Sequence, residues 1–116
     1  HECGNMGRRL VQCRGESVPF APNVLSVTVR EPLGVVGAII PWNVPMLLMA
    51  LKVAPALVAG NTVVVKSAEE APLAVLRICE ILNRVLPPGV FNMVSGFGPE
   101  CGAPLVSHPQ VKKVTF

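Results

Sequence analysis

Lys66 and Glu69 stand three residues apart, directly after the β-branched run "TVVV" at residues 62–65. A lysine donates hydrogen bonds and a carboxylate accepts them. Together they suit a ligand with adjacent hydroxyl groups, such as a ribose. The plainer alternative is a strand-end lysine beside a carboxylate near a helix start, contributing roughly a few tenths of a kcal/mol. The second candidate is Asn43, in "IIPWNVP" at residues 39–45, where Pro41 and Pro45 flank it and Trp42 is the chain's one tryptophan. An uncharged amide in an apolar run is expected to need a partner. The third is Gly96-Phe97-Gly98 with Gly102 four residues on, a G-x-G-x-x-x-G spacing. It is one residue longer than the usual dinucleotide fingerprint. It fits either a loop with a close helix–sheet contact or a surface cleared of side chains for a cofactor.

The elements around these residues alternate between strand and helix. "GVVGAII" and "TVVVK" are short, continuous apolar runs, as expected of strands covered on both faces, and "VFNMV" reads as a third short strand. "VKKVTF" starts a fourth. A buried helix is expected from Met46 to Ala59, broken near Pro55, with Gly60-Asn61 as its C-terminal stop. A second helix follows Pro72. Val75, Ile78, Cys79, Leu82, Val85 and Leu86 form its apolar stripe, with Glu69 and Glu70 near its positive end and Arg84 near the other. A third runs from the glycine-rich loop to about His108. Strands alternating with helices predict an α/β fold: a doubly wound, mostly parallel, Rossmann-like sheet, incomplete in this chain. Such sheets bind ligands beyond the carboxyl ends of their strands, and the three candidate groups fall at corresponding ends of three strands. Residues 1–23 read as irregular. "NVLSVTVREP" alternates, with Leu25, Val27 and Val29 on one side, as a half-exposed strand does.

Composition narrows the function classes. The chain is 51% hydrophobic and 15% charged, too apolar for a disordered segment and unusually apolar for a free-standing domain of 116 residues. Either a membrane or neighbouring protein must cover part of it. Residues 32–51 carry no charge and are long enough to span a bilayer. However, Pro32, Pro41, Pro45, Gly34, Gly37 and Asn43 lie within that window, which argues against a membrane helix. The net charge of +3 is scattered and tyrosine is absent, so no nucleic-acid partner is expected. Cys3, Cys13, Cys79 and Cys101 form no CxxC pair, and His1 and His108 are far apart. Free thiols, no metal site and, without a signal peptide, a cytoplasmic location are expected.

"EPLGVVGAIIPWNVP", "PALVAGNTVVVKSAEE", "PPGVFNMVSGFGPECG" and "HPQVKKVTF", in this order, resemble consecutive motifs of the NAD(P)-dependent aldehyde dehydrogenase superfamily. The resemblance runs from about Gly15 to Phe116. It implies oxidation of a small-molecule aldehyde to a carboxylic acid through a cysteine thiohemiacetal and thioester, with NAD as cofactor and NADP still open. Asn43 matches the asparagine whose amide, with a backbone N–H, holds the developing oxyanion. Ile39, Ile40, Pro41 and Trp42 match the segment lining the cofactor cleft. Lys66 and Glu69 match the pair on the adenosine ribose, where a carboxylate would repel a 2′-phosphate and so favour NAD. Gly98, Pro99 and Gly102 match the loop and helix start beside the adenine half, and Phe116 the residue before a turn near the pyrophosphate.

The same resemblance implies a fragment. The family's nucleophilic cysteine and general-base glutamate match nothing in this chain, so the 116 residues alone are expected to be inactive. It divides the chain into an irregular segment 1–14, a strand of an oligomerisation or bridging sheet within 15–31, and a partial NAD-binding domain at 32–116. A homodimer or homotetramer is expected of the full-length protein. Two other functions stay open on the sequence: a nucleotide-binding or interaction module without chemistry, and a CoA-acylating semialdehyde dehydrogenase.

Overall fold

The computed structural model describes residues 15–116. The expectation for residues 1–14, and the thiols Cys3 and Cys13, lie outside the described residues. Four strands form one parallel sheet: β3 (Val35–Ile39), β4 (Thr62–Lys66), β5 (Phe91–Val94) and β6 (Val111–Thr115), in the order β5-β4-β3-β6. Helix α1 (Pro45–Val58) connects β3 to β4, and α2 (Pro72–Leu82) connects β4 to β5. The chain then reverses direction across the sheet. A π-helical turn at Gly98–Gly102 and the short α3 (Ala103–Ser107) lead to β6 on the far side of β3.

This order puts a topological switch between β3 and β6. Right-handed crossovers in opposite directions send helices to opposite faces, and the packing agrees. On one face Ala38, Ile40, Val63, Val65, Phe91 and Val75 of α2 meet Met49 and Val53 of α1 in the buried core. On the other face Leu105 of α3 sits over Gly37, where an added Cβ would lie 3.3 Å from its Cγ. Glycine at 37 therefore lets α3 approach β3.

Helix α1 departs from expectation by running unbroken through Pro55. Proline removes one donor, the bond to the Leu51 carbonyl. Met49 and Val53, both buried, hold the helix before Pro55, and the partly buried Ala56 and Leu57 pack against the same core beyond it. It stops as expected. Gly60 has φ +82°, its N–H donates to the Leu57 carbonyl, and the Asn61 N–H donates to the Ala56 carbonyl. The buried Asn61 side chain then donates to Ala56 O and accepts from Gly34 N at 3.0 Å, tying the end of α1 to the entry of β3.

Helix α2 is shorter than its apolar stripe suggested. It ends at Leu82, and Val85 lies beyond it, exposed. Leu86 precedes Pro87, which disfavours helical backbone there, and residues 83–86 close as turns instead. Its first turn contains no acidic residue and its last no basic one, so Glu69, Glu70 and Arg84 do not serve its dipole as expected.

The segment before β3 also corrects the sequence reading. Residues 17–21 are not irregular: β1 (Ser17–Ala21) pairs antiparallel with β2 (Val24–Val27) around a turn where Asn23 has φ +69°. Pro19 is tolerated in β1 because the missing N–H of a proline in an edge strand can face solvent. Nor is β2 half-buried. Phe20 and Leu25 are each 80% exposed, because among the described residues no layer covers either face of the two-stranded hairpin.

Candidate functional site

The register of the sheet brings the candidate groups to one end. Ile39 pairs with Lys66, Lys66 with Val94, and Ala38 with Thr115. The segments leaving β3, β4, β5 and β6 thus carry Asn43, Glu69, the glycine-rich turn and Phe116 from the same carboxyl edge. In an open parallel sheet this edge, at the switch point, is where ligands lie.

Asn43 follows Pro41 and Trp42 in the connection to α1. The expected partner for its amide is not there: Asn43 is exposed, and among the described residues its side chain makes no hydrogen bond. The desolvation problem inferred from the apolar run does not arise, because the chain lifts out of the core at Pro41. Ile40 is buried at the end of β3, its N–H donating to the Lys66 carbonyl at 2.9 Å. Trp42 beyond it is 66% exposed.

Lys66 is buried, its side chain 7% exposed, and its Nζ donates to Glu69 Oε2 at 2.8 Å. The pair is preformed on a rigid strand end. The hydrogen bond from Lys66, with help from local backbone, holds the Glu69 carboxyl below the usual carboxylate range. A lowered folded value keeps Glu69 charged at neutral pH. Whatever stability this charge contributes is present above the unfolded value and lost only as pH falls through the lower folded one. Next to the pair, the fully buried Ser67 donates through Oγ to Ser95 Oγ at 3.3 Å, which joins the ends of β4 and β5.

The three glycines after β5 differ in what they require. Gly96 has φ +156°, and a Cβ there would overlap Cys101 Sγ, so its own loop demands glycine. Gly98 and Gly102 have no left-handed backbone, and a Cβ on either would meet no atom within 4 Å. Nothing in the described residues needs glycine at these two positions; Gly98 is exposed, while Gly102 is buried at the end of the π-helical turn, where α3 starts. Beside them a cavity of about 480 Å³ opens on the α3 face, lined mainly by apolar groups including Val64, Val94, Cys101 and Leu105. Phe116 is almost fully exposed.

The two described cysteines do not resemble nucleophiles. Cys79 lies half-buried on α2, where burial pushes its thiol up and away from the reactive thiolate. Cys101 donates to the Ser95 carbonyl at 3.5 Å. Among the described residues no three His, Cys, Asp or Glu side chains gather as metal ligands, and no helix is long and apolar enough to cross a membrane. The uncharged window at 32–51 divides between β3, its following turn and the first half of α1.

Sequence reasoning missed Lys52. It is the one charged residue of α1, and its Nζ donates to the Ile39 carbonyl at 2.7 Å. A single charge in an otherwise apolar helix was the available signal.

The fold and its polar edge define an open parallel α/β sheet, a class in which ligands lie beyond the carboxyl ends of the strands. A family model described as "Aldehyde dehydrogenase family" matches residues 3–116, and the chain belongs to that family. It is 51% identical over 104 residues to retinaldehyde dehydrogenase 3 of Rattus norvegicus, covering 89% of this chain and 20% of that protein. Among solved structures it is similar to the NAD+ complex of an aldehyde dehydrogenase from Bacillus cereus, with 40% identity and a TM-score of 0.89, covering 95% of this chain and 23% of that one. It is similar also to a glyceraldehyde-3-phosphate dehydrogenase from Methanocaldococcus jannaschii complexed with NADP, at 33% identity and a TM-score of 0.88, covering 97% and 25%. The chain thus spans about a fifth of the length of the curated relatives it matches.

Proposed function

We propose that this segment forms part of the cofactor-binding domain of an NAD-dependent aldehyde dehydrogenase and supplies one donor of its oxyanion hole. The observation that carries this reading is the exposed, unpartnered amide of Asn43 at the carboxyl end of β3, level with the Lys66 and Glu69 pair. When a thiolate adds to an aldehyde, negative charge develops on the carbonyl oxygen. A fixed N–H aimed at that oxygen stabilises the transition state more than the ground state. The amide of Asn43 has donors to offer and no competing acceptor within the described chain. The family resemblance matches neither its nucleophilic cysteine nor its water-activating glutamate to a residue of this chain, so on this reading a longer polypeptide would supply both.

The exposed Gly98 and Pro99, with Gly102 behind them at the helix start, support the cofactor half of this reading. Gly98, Pro99 and Gly102 would let an adenine lie against backbone, with the adjoining apolar cavity beside it. Lys66 and Glu69 would hold the adenosine ribose through its hydroxyls, and residues 39–42 would line the remainder of the cleft. Bound NAD+ would supply the two-electron oxidant. Relatives with NAD+ and with NADP are both similar to this chain. The carboxylate of Glu69 favours NAD, because a 2′-phosphate beside it would meet like charge. The uncovered hairpin β1–β2 fits a homodimer or homotetramer in which a second subunit covers Phe20 and Leu25. The free thiols Cys79 and Cys101 fit a reduced, cytoplasmic setting.

The test uses a polypeptide of full family length carrying this segment. It should reduce NAD+ in the presence of an aldehyde, while the 116-residue chain alone should not. Absence of turnover with every aldehyde class in the longer chain, or turnover by the short one, would overturn the reading. Glu69→Gln in the longer chain should raise kcat/KM for NADP relative to NAD by about tenfold. An unchanged ratio would remove Glu69 as the discriminating group.

A further inference from the structure

The connection that carries Asn43 is weakly tied by its own residues. Helix α1 starts without a side-chain cap: Val44 occupies that position, with φ −154° and ψ 57°, and the first turn contains no acidic residue. Among the described residues one side-chain hydrogen bond reaches residues 39–44, and it comes from Lys52, two turns into α1. Its acceptor is well placed to matter. The Ile40 N–H points toward β4, where it meets the Lys66 carbonyl. Neighbouring residues of a strand face opposite sides, so the Ile39 carbonyl points toward the β6 side. The last partner pair between β3 and β6 is Ala38 with Thr115, so Ile39 lies just past that ladder, at the switch point.

We propose that Lys52 is a positioning residue for Asn43: its ammonium holds the Ile39 carbonyl and so fixes the strand end and helix start that bracket the amide. The 2.7 Å bond closes a loop from residue 39 to residue 52, and Asn43 lies inside it. The bond is charge-assisted and partly shielded from water, the stronger kind. Burial lowers the pKa of Lys52 from its ordinary value. Without this bond α1 keeps its packing through Met49 and Val53, but the link from its second turn back to the end of β3 is lost. The amide then samples a wider range of positions. Small displacements of a group that must meet a developing charge lower turnover strongly.

This role rests on the reading of Asn43 as the oxyanion donor, and the test separates the two. In a polypeptide of full family length carrying this segment, Lys52→Met should lower kcat by about tenfold with little change in KM for NAD+ or in melting temperature. Lys52→Arg, which restores a donor, should recover kcat to within about threefold. Added to Asn43→Ala, Lys52→Met should cause no further loss, since it acts through an amide already removed. An equal loss with and without Asn43, or no loss in Lys52→Met, would overturn the proposal. Asn43→Ala alone reports on the oxyanion reading independently. Should Lys52→Met not fold, Lys52→Gln enters the same comparison with the same expected pattern.

Discussion

Asn43→Ala, in a polypeptide of full family length carrying this segment, is expected to lower kcat by about 100- to 1000-fold, or about 2.7–4 kcal/mol of barrier. KM for NAD+ should change little, because the lost interaction forms only as charge builds on the substrate oxygen. The fold should not register the change. Asn43 is exposed and its side chain bonds to nothing described, so its truncation should alter stability by no more than about 0.5 kcal/mol. This separation makes the prediction sharp: steady-state kinetics should collapse while the melting temperature stays put. Asn43→Asp should be at least as poor, since a carboxylate can accept but not donate and adds like charge. A kcat within about threefold of the parent would remove Asn43 from the chemistry.

Phe91→Ala should have the opposite signature, a loss of fold before any loss of chemistry. Phe91 is 1% exposed, opens β5, pairs with Val63 and packs among Ala38, Val65, Met49 and Val75. Truncating a buried phenylalanine costs about 3–5 kcal/mol through lost burial and the cavity left behind. Domains are stable by only about 5–15 kcal/mol in total. The expected result is a sharply lower urea midpoint and reduced soluble yield. The site should suffer as a consequence, because the ladder between β4 and β5 sets the positions of Lys66, Ser67 and Ser95. A midpoint corresponding to less than about 1 kcal/mol of destabilisation would show that β5 does not anchor the sheet.

What the sequence made legible follows from how local each signal is. Continuous β-branched runs announce strands buried on both faces, so β3 and β4 could be read directly, along with Gly60 as a helix stop, whereas β5 proved an edge strand with Asn92 and Val94 exposed. The alignment of Asn43, Lys66 and the glycine turn at one edge needed only the rule for parallel strands. Other features depended on non-local balance. Pro55 is a helix breaker by itself, but the burial of Met49 and Val53 outweighs one lost donor. Pro19 concealed β1, because whether a strand is an edge strand is a property of the sheet. Hydropathy placed Asn43 in a buried run, although it sits where the backbone turns out of the core. Lys52 could not be assigned because its acceptor is a main-chain carbonyl, and all residues share that group.

The arrangement β5-β4-β3-β6 also sets a timetable for synthesis. Strands β3, β4 and β5 are near neighbours in sequence and can zip together with α1 and α2 as soon as residue 94 has left the ribosome. The opposite edge of β3 stays bare until residues 111–115 follow. For that interval β3, a central strand of the described sheet, is an open edge, a site where a stranger's strand can dock in place of β6. Slowing translation between residues 94 and 111 would lengthen the exposure and raise the demand for chaperones.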